Sequence, residues 1–177
     1  MNRRIALIPF LTLIAVSAVA QMGGPPGPEV KKLDYFVGTW TTDGMIAPGP
    51  WGGGGKFTAT STTEWMPGGF FLQSKVDSQM PAEIGGDNKA IMIMGYDTQE
   101  NTYTSDRYSS LGQHVSSKGA LSGDTWTWTN TSNYGGMEVQ GKMTIKVLSP
   151  TSHTMKYEIS MDGKNWMTFM DGKLTKK

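Results

Sequence analysis

The chain has 177 residues, with sixteen Lys and Arg against fifteen Asp and Glu, a formal charge of +1, and no cysteine. A charge this near zero gives no electrostatic grip on a phosphate backbone, so nucleic acid is not an expected partner. Without cysteine there is no disulfide framework, no thiolate metal site and no thiol nucleophile.

The first twenty residues have the three parts of a secretory signal. Arg3 and Arg4 supply the positive start, residues 5–16 are apolar except for Pro9 and Thr12, and Ala18-Val19-Ala20 offers the small-x-small cleavage pattern. The apolar run falls short of the roughly 20 residues that span a bilayer. Cleavage after Ala20 is therefore expected, with a periplasmic or secreted product that begins at Gln21 and has no later run long enough to span a membrane. Taking residues 1–20 from 177 leaves 157, and the loss of Arg3 and Arg4 leaves fourteen basic against fifteen acidic residues, about −1. A domain of about 150 residues buries roughly 70% of its unfolded surface, so its core alone can hold it together.

Residues 21–28 read as a mobile Gly/Pro linker, and residues 29–177 as one domain. Within residues 29–36, Val30, Leu33 and Phe36 recur at helical spacing, which predicts about two turns lying across one end of the domain. From Thr39 onward the period is two. Thr-rich residues 56–65 form one expected strand, and Phe70, Leu72, Ser74 and Val76 share a face of the next. Ala90, Met92, Met94 and Tyr96 share another. Residues 103–109 and 113–121 come next, and then Trp126 and Trp128 alternate with threonines. Met143, Ile145 and Val147 line one side of the next run, and Met155, Tyr157, Ile159 and Met161 the one after. Residues 165–174 close the series.

The connections are short and carry turn chemistry, as at Gly68-Gly69, Ser122-Gly123-Asp124, Gly135-Gly136 and Asp162-Gly163. About ten strands joined this way pair antiparallel, and closing them on themselves removes the exposed edges. The expected fold is all-β, an up-and-down antiparallel barrel with a short N-terminal helix. Residues 45–55 are the longest irregular stretch. They read either as a loose surface loop or as a portal loop whose Trp51 folds over the barrel mouth. They are not a phosphate-binding loop, because Pro50 and Phe57 break that pattern and no helix follows.

Gly38-Thr39-Trp40, entering the first strand after a short helix, resembles the Gly-x-Trp opening of lipocalins and their calycin relatives, which include the fatty-acid-binding proteins. The later marks resemble a bacterial family of exported, uncharacterised lipocalin-like domains: Glu64 before Gly68-Gly69-Phe70, then Gly95-Tyr96-Asp97, Tyr103 with Asp106, Gly123-Asp124-x-Trp126, Ser149-Pro150, and Asp162-Gly163 with Trp166. The resemblance implies that Trp40 plugs the closed end beneath a cavity. It also implies a cation from the last strand on that ring, a place that only Lys173 is expected to take.

His114 and His153 are isolated and in polar surroundings, so both are expected at the surface, and neither a haem nor any other cofactor is predicted. Thirteen methionines could offer soft ligands to Cu(I), but the strand pattern places them as core filling, so no metal site is predicted. Glu64 and Asp106 are the carboxylates to watch, with Arg107, Tyr108 and Tyr96 as companions, because burial would raise a carboxylate into the acid/base range. The first functional expectation is a barrel that binds a small apolar or amphipathic molecule, lined by Met92, Met94, Tyr96, Tyr108, Trp128 and Tyr157 between Trp40 and Trp51. The alternatives are an enzyme on such a molecule using Glu64 or Asp106, and a solidly packed envelope interaction protein.

Overall fold

The computed structural model describes residues 24–134 and 136–177, with the backbone alone at Tyr134. The expected signal, residues 1–20, lies outside the described residues, as do residues 21–23 of the linker. Helix α1, Pro28–Lys32, starts on a proline, where the missing N–H costs nothing, and runs into a 3₁₀ turn over Leu33–Phe36. Ten strands come after it: β1 (Gly38–Ile46), β2 (Gly55–Trp65), β3 (Leu72–Gln79), β4 (Asn88–Asp97) and β5 (Thr102–Ser109) form the first half. The second half is β6 (His114–Ser122), β7 (Thr125–Tyr134), β8 (Met137–Ser149), β9 (Ser152–Ser160) and β10 (Met167–Lys176). Each strand pairs antiparallel with its neighbours in sequence, and β1 pairs with β10 to close the barrel, as the alternation predicted. Two expectations of shared faces fail, at Phe70 and at Met161, which lies beyond the end of β9 and is exposed. Strand β3 begins at Leu72, and Phe70 sits exposed in a tight turn closed by Met66 N donating to Phe71 O at 2.8 Å.

One end of the barrel is shut. Leu33 and Phe36 from the 3₁₀ turn enter it and pack against Leu72, Met94, Tyr103, Trp126 and Trp128. Trp126 is the centre of this floor, with its ring 4.8 Å from Tyr103 and 5.2 Å from Phe36. Buried aromatic groups with polar tips need partners, and here they tie the plug to the wall. Trp40 Nε1 donates to Phe36 O at 2.9 Å, Trp65 Nε1 to Asp34 Oδ1 at 2.7 Å, and the Tyr103 hydroxyl to Glu29 Oε2 at 2.7 Å. Burial, and then the Glu29 carboxylate, raise the Tyr103 phenol above its usual range. Hydrogen bonds from Lys32, and then from Tyr103, hold Glu29 below its own.

Two expectations about the floor are corrected. The cation over Trp40 is Lys176, whose Nζ lies 5.2 Å from the ring centroid. Lys173 pairs with Asp43 and Thr154 on the outer face, since the inner face of β10 takes Leu174 and Lys176. His153 is not at the surface but 2% exposed, with its ring 4.7 Å from Trp40 and Nδ1 3.1 Å from the Tyr35 hydroxyl. Its place at the start of β9, opposite Val147 and Leu174, points it into the floor. Burial lowers the imidazole to about 4.

Trp126→Ala is expected to cost about 3–5 kcal/mol of folding stability, as for other buried aromatic truncations. Urea unfolding measures it, and the exposed Thr129→Ala on the same strand should stay within about 0.5 kcal/mol of the parent. His153 makes stability depend on pH. In the unfolded chain it titrates near 6.5 and in the fold near 4, so between these values only the unfolded state takes up the proton. Stability should be full above about pH 6.5 and fall by on the order of 3 kcal/mol as pH drops to 4. The slope should flatten in His153→Gln, and a slope unchanged in that variant would place the titration elsewhere.

Candidate functional site

Above the floor the inner wall changes character. The register turns Met92, Arg107 and Val115 inward side by side on β4, β5 and β6, and Met143, Tyr157 and Met170 inward on β8, β9 and β10. These side chains keep intermediate exposure, whereas Trp126, Trp128 and Met94 below them are buried. Above the packed base the lumen thus has a partly exposed belt, the cup, and farther from the floor Ala90 on β4, Val139 on β8, Ile159 on β9 and Ile46 on β1 are buried again. Among the described residues, Arg107 is the charged side chain that the register directs into the middle of the wall, Lys176 lying down at the floor.

Glycines make the room. A Cβ at Gly141 would collide with the Tyr157 phenol and with Asn130 Oδ1, and one at Gly119 would collide with the Trp128 ring. The space at Gly141 is where the Tyr157 hydroxyl donates to Asn130 Oδ1 at 3.3 Å. At the mouth, β10 carries a bulge between Thr168 and Met170, which re-aims Phe169. Its ring meets Trp51 at 5.0 Å and Tyr157 at 6.1 Å, so three aromatic residues run from the rim into the cup. The loop that carries Trp51 is tied down rather than loose. Trp51 Nε1 donates to Ala47 O at 2.8 Å, Gly49 and Gly52 pair through their backbones, and Gly53 N donates to Glu83 Oε2 at 3.1 Å.

The residues expected to line one cavity are distributed over several places. Trp40, Met94 and Trp128 are buried in the floor, and Met92 and Tyr96 lie against it. Tyr157 is in the upper cup and Trp51 at the mouth. Tyr108 is on the outside: it pairs with Ile91 on the outer face and its ring stacks on His114 at 4.6 Å. Asp106 also points outward, with His114 Nε2 3.1 Å from its Oδ1. Glu64 is exposed on the outer face opposite Gln73. Neither carboxylate faces the lumen, so the burial that an acid/base role called for is not met at either. Sequence reasoning grouped Arg107 with Asp106, Tyr108 and Glu64; the pleat separates it from all three. Asn130 and Phe169 went unnoticed, and only the bulge explains the aim of Phe169. Among the described residues no cluster of three His, Asp or Glu side chains is placed to hold a metal ion, and no helix is long and apolar enough to cross a membrane.

A belt of this kind can face a small molecule with an apolar body, offering sulfur and ring surfaces beside an amide, a phenol and a guanidinium. Comparison with solved structures finds the same fold in Rv2717c from M. tuberculosis, at 10% identity and a TM-score of 0.60, covering 86% of this chain and 99% of that one. The S-type phycobiliprotein lyase CPES from Guillardia theta is similar at 9% identity and a TM-score of 0.53, covering 83% and 91%. Identities this low show the fold alone, a lipocalin-like barrel. No curated protein matches the sequence. The model of a family described as proteins of unknown function, DUF1579, matches residues 25–176, and the chain belongs to that family.

Proposed function

We propose that the protein is exported and binds a small amphipathic molecule against the partly exposed belt inside its barrel. The observation that carries this reading is the belt of partly exposed inward side chains, Met92, Arg107, Val115, Met143, Tyr157 and Met170, between buried residues at the floor and farther along the barrel. Apolar side chains that keep partial exposure inside a closed barrel are surface that a ligand can cover, and burial of apolar ligand surface there supplies the affinity. Met92, Met143 and Met170 give a deformable apolar lining. Arg107 gives an acidic head group a counter-charge, and Tyr157 with Asn130 adds hydrogen-bonding groups. Sharing a fold with a phycobiliprotein lyase does not fix a function, so the reading rests on the lumen itself.

Export predicts that expression of residues 1–177 in a bacterial host yields a periplasmic or secreted product whose N-terminal residue is Gln21. N-terminal sequencing checks this, and a full-length cytosolic product would overturn it. For the cup, native and denaturing mass spectra of the gently purified protein should differ by a released ligand, or the bare protein should take up oleate. Gly141→Leu drives a side chain into the Tyr157 phenol and Asn130 Oδ1, must displace both, and should weaken oleate at least tenfold. Arg107→Gln should erase a preference for oleate over oleyl alcohol. A bare protein that takes up neither compound would instead support the solidly packed interaction protein.

A further inference from the structure

A groove of about 1050 Å³ crosses the outer face of the barrel over β1–β5, on the other side of the wall from the lumen. The pleat turns Thr41, Thr60 and Thr62 outward into it, with Thr41 opposite Thr60 and Thr62 opposite Lys75. Hydroxyls therefore recur across neighbouring strands at the sheet's own spacing, about 5 Å. Thr41 donates to Thr175 O at 3.3 Å and keeps its lone pairs as acceptors, Thr62 lies 3.5 Å from the Thr39 hydroxyl, and the Thr60 hydroxyl can both donate and accept.

The cross-strand pair Ile91 and Tyr108 also lines the groove, 44% and 52% exposed. The Tyr108 ring lies flat on His114, the planes only 9° apart, and Asp106 Oδ1 lies 3.1 Å from His114 Nε2. The aromatic surface is thus fixed in place. The charges of the groove cancel, Asp43 and Asp77 against Lys75 and Lys89, with Lys89 Nζ 3.5 Å from Asp77. A polyanion or a polycation finds no net field there. The volume is at the top of the roughly 300–1,000 Å³ of ordinary small-molecule clefts, which accommodates an extended ligand. A protein partner would be expected to find an apolar centre, but the large apolar surface in this groove is confined to Ile91 and Tyr108.

An uncharged, extended molecule with hydroxyls on its rim and a C–H face that packs on an aromatic ring satisfies all of these features. We propose that the outer groove over β1–β5 binds a neutral oligosaccharide, with Tyr108 as the stacking platform and the outward threonines, Lys75 and Asp77 as its hydrogen-bonding partners. The site is independent of the lumen, so either can fail without the other.

The test is isothermal titration of the purified protein with cellohexaose, chitohexaose and maltohexaose, and with a heparin hexasaccharide as the charged comparison. At least one neutral hexasaccharide should bind. Tyr108→Ala should weaken it tenfold or more, Tyr108→Phe should retain it, and Thr60→Lys should block it. Each variant should keep the parent's thermal unfolding and its uptake of oleate. The proposal is overturned if no neutral hexasaccharide binds, if heparin alone binds, or if Tyr108→Ala and Thr60→Lys both leave binding unchanged. Binding lost in Gly141→Leu but kept in Tyr108→Ala would move the sugar into the lumen and overturn it equally.

Discussion

The sealed floor is the constraint on which the rest of the structure depends. Ten strands enclose more space than their inward side chains can fill, and an open tube would leave Trp40 and Trp126 in water. The short segment from Pro28 to Phe36 solves this by inserting Leu33 and Phe36 and by presenting acceptors to the wall. Phe36 O, Asp34 and Glu29 each receive a donor from an aromatic side chain of a different strand: Trp40 on β1, Trp65 on β2 and Tyr103 on β5. The plug is thereby anchored across the base, and apolar surface that would otherwise open outward becomes the bottom of a cup.

The polarity of the lumen follows from that arrangement. Near the plug every polar group is matched, and even His153 is held neutral by burial beside Trp40 and Tyr35. Glycines on β6 and β8 let large rings from the adjoining strands lie across the wall, Trp128 in the floor and Tyr157 above it. The bulge in β10 then turns one more ring toward the mouth, where Trp51 meets it. The partly exposed belt thus lies between the dry floor and a second set of buried residues, Ile46, Ala90, Val139 and Ile159.

Much of the architecture is legible in alternation and turns. Trp126 and Trp128, spaced by threonine, show their phase, and the opening Gly38-Thr39-Trp40 by itself resembles the plugged end of a lipocalin-like barrel. Strand β5 is harder. Its run Tyr103-Thr104-Ser105-Asp106-Arg107-Tyr108 is polar on both faces, so nothing in it says which set points inward. Pairing with β4 decides the matter, since Met92 brings Arg107 in and Ile91 and Ile93 send Tyr108 and Asp106 out. His153 and Lys176 are obscure for a related reason. Both lie at strand ends, where a polar neighbourhood in sequence says little about the side chains that the closed barrel brings around them.

Closure itself has a temporal side. The contact between β1 and β10 joins Trp40 to Lys176 and Ile46 to Met170, residues at opposite ends of the domain. Nothing shorter than the whole chain can make it. Until the last strand is available, β1 and β9 each present an unpaired edge, and the loop to be closed spans nearly the entire domain. Such high contact order makes for slow folding. A polypeptide still being synthesised or moved through a narrow passage therefore stays unfinished as a barrel until its final strand emerges, and only then does the seam zip shut.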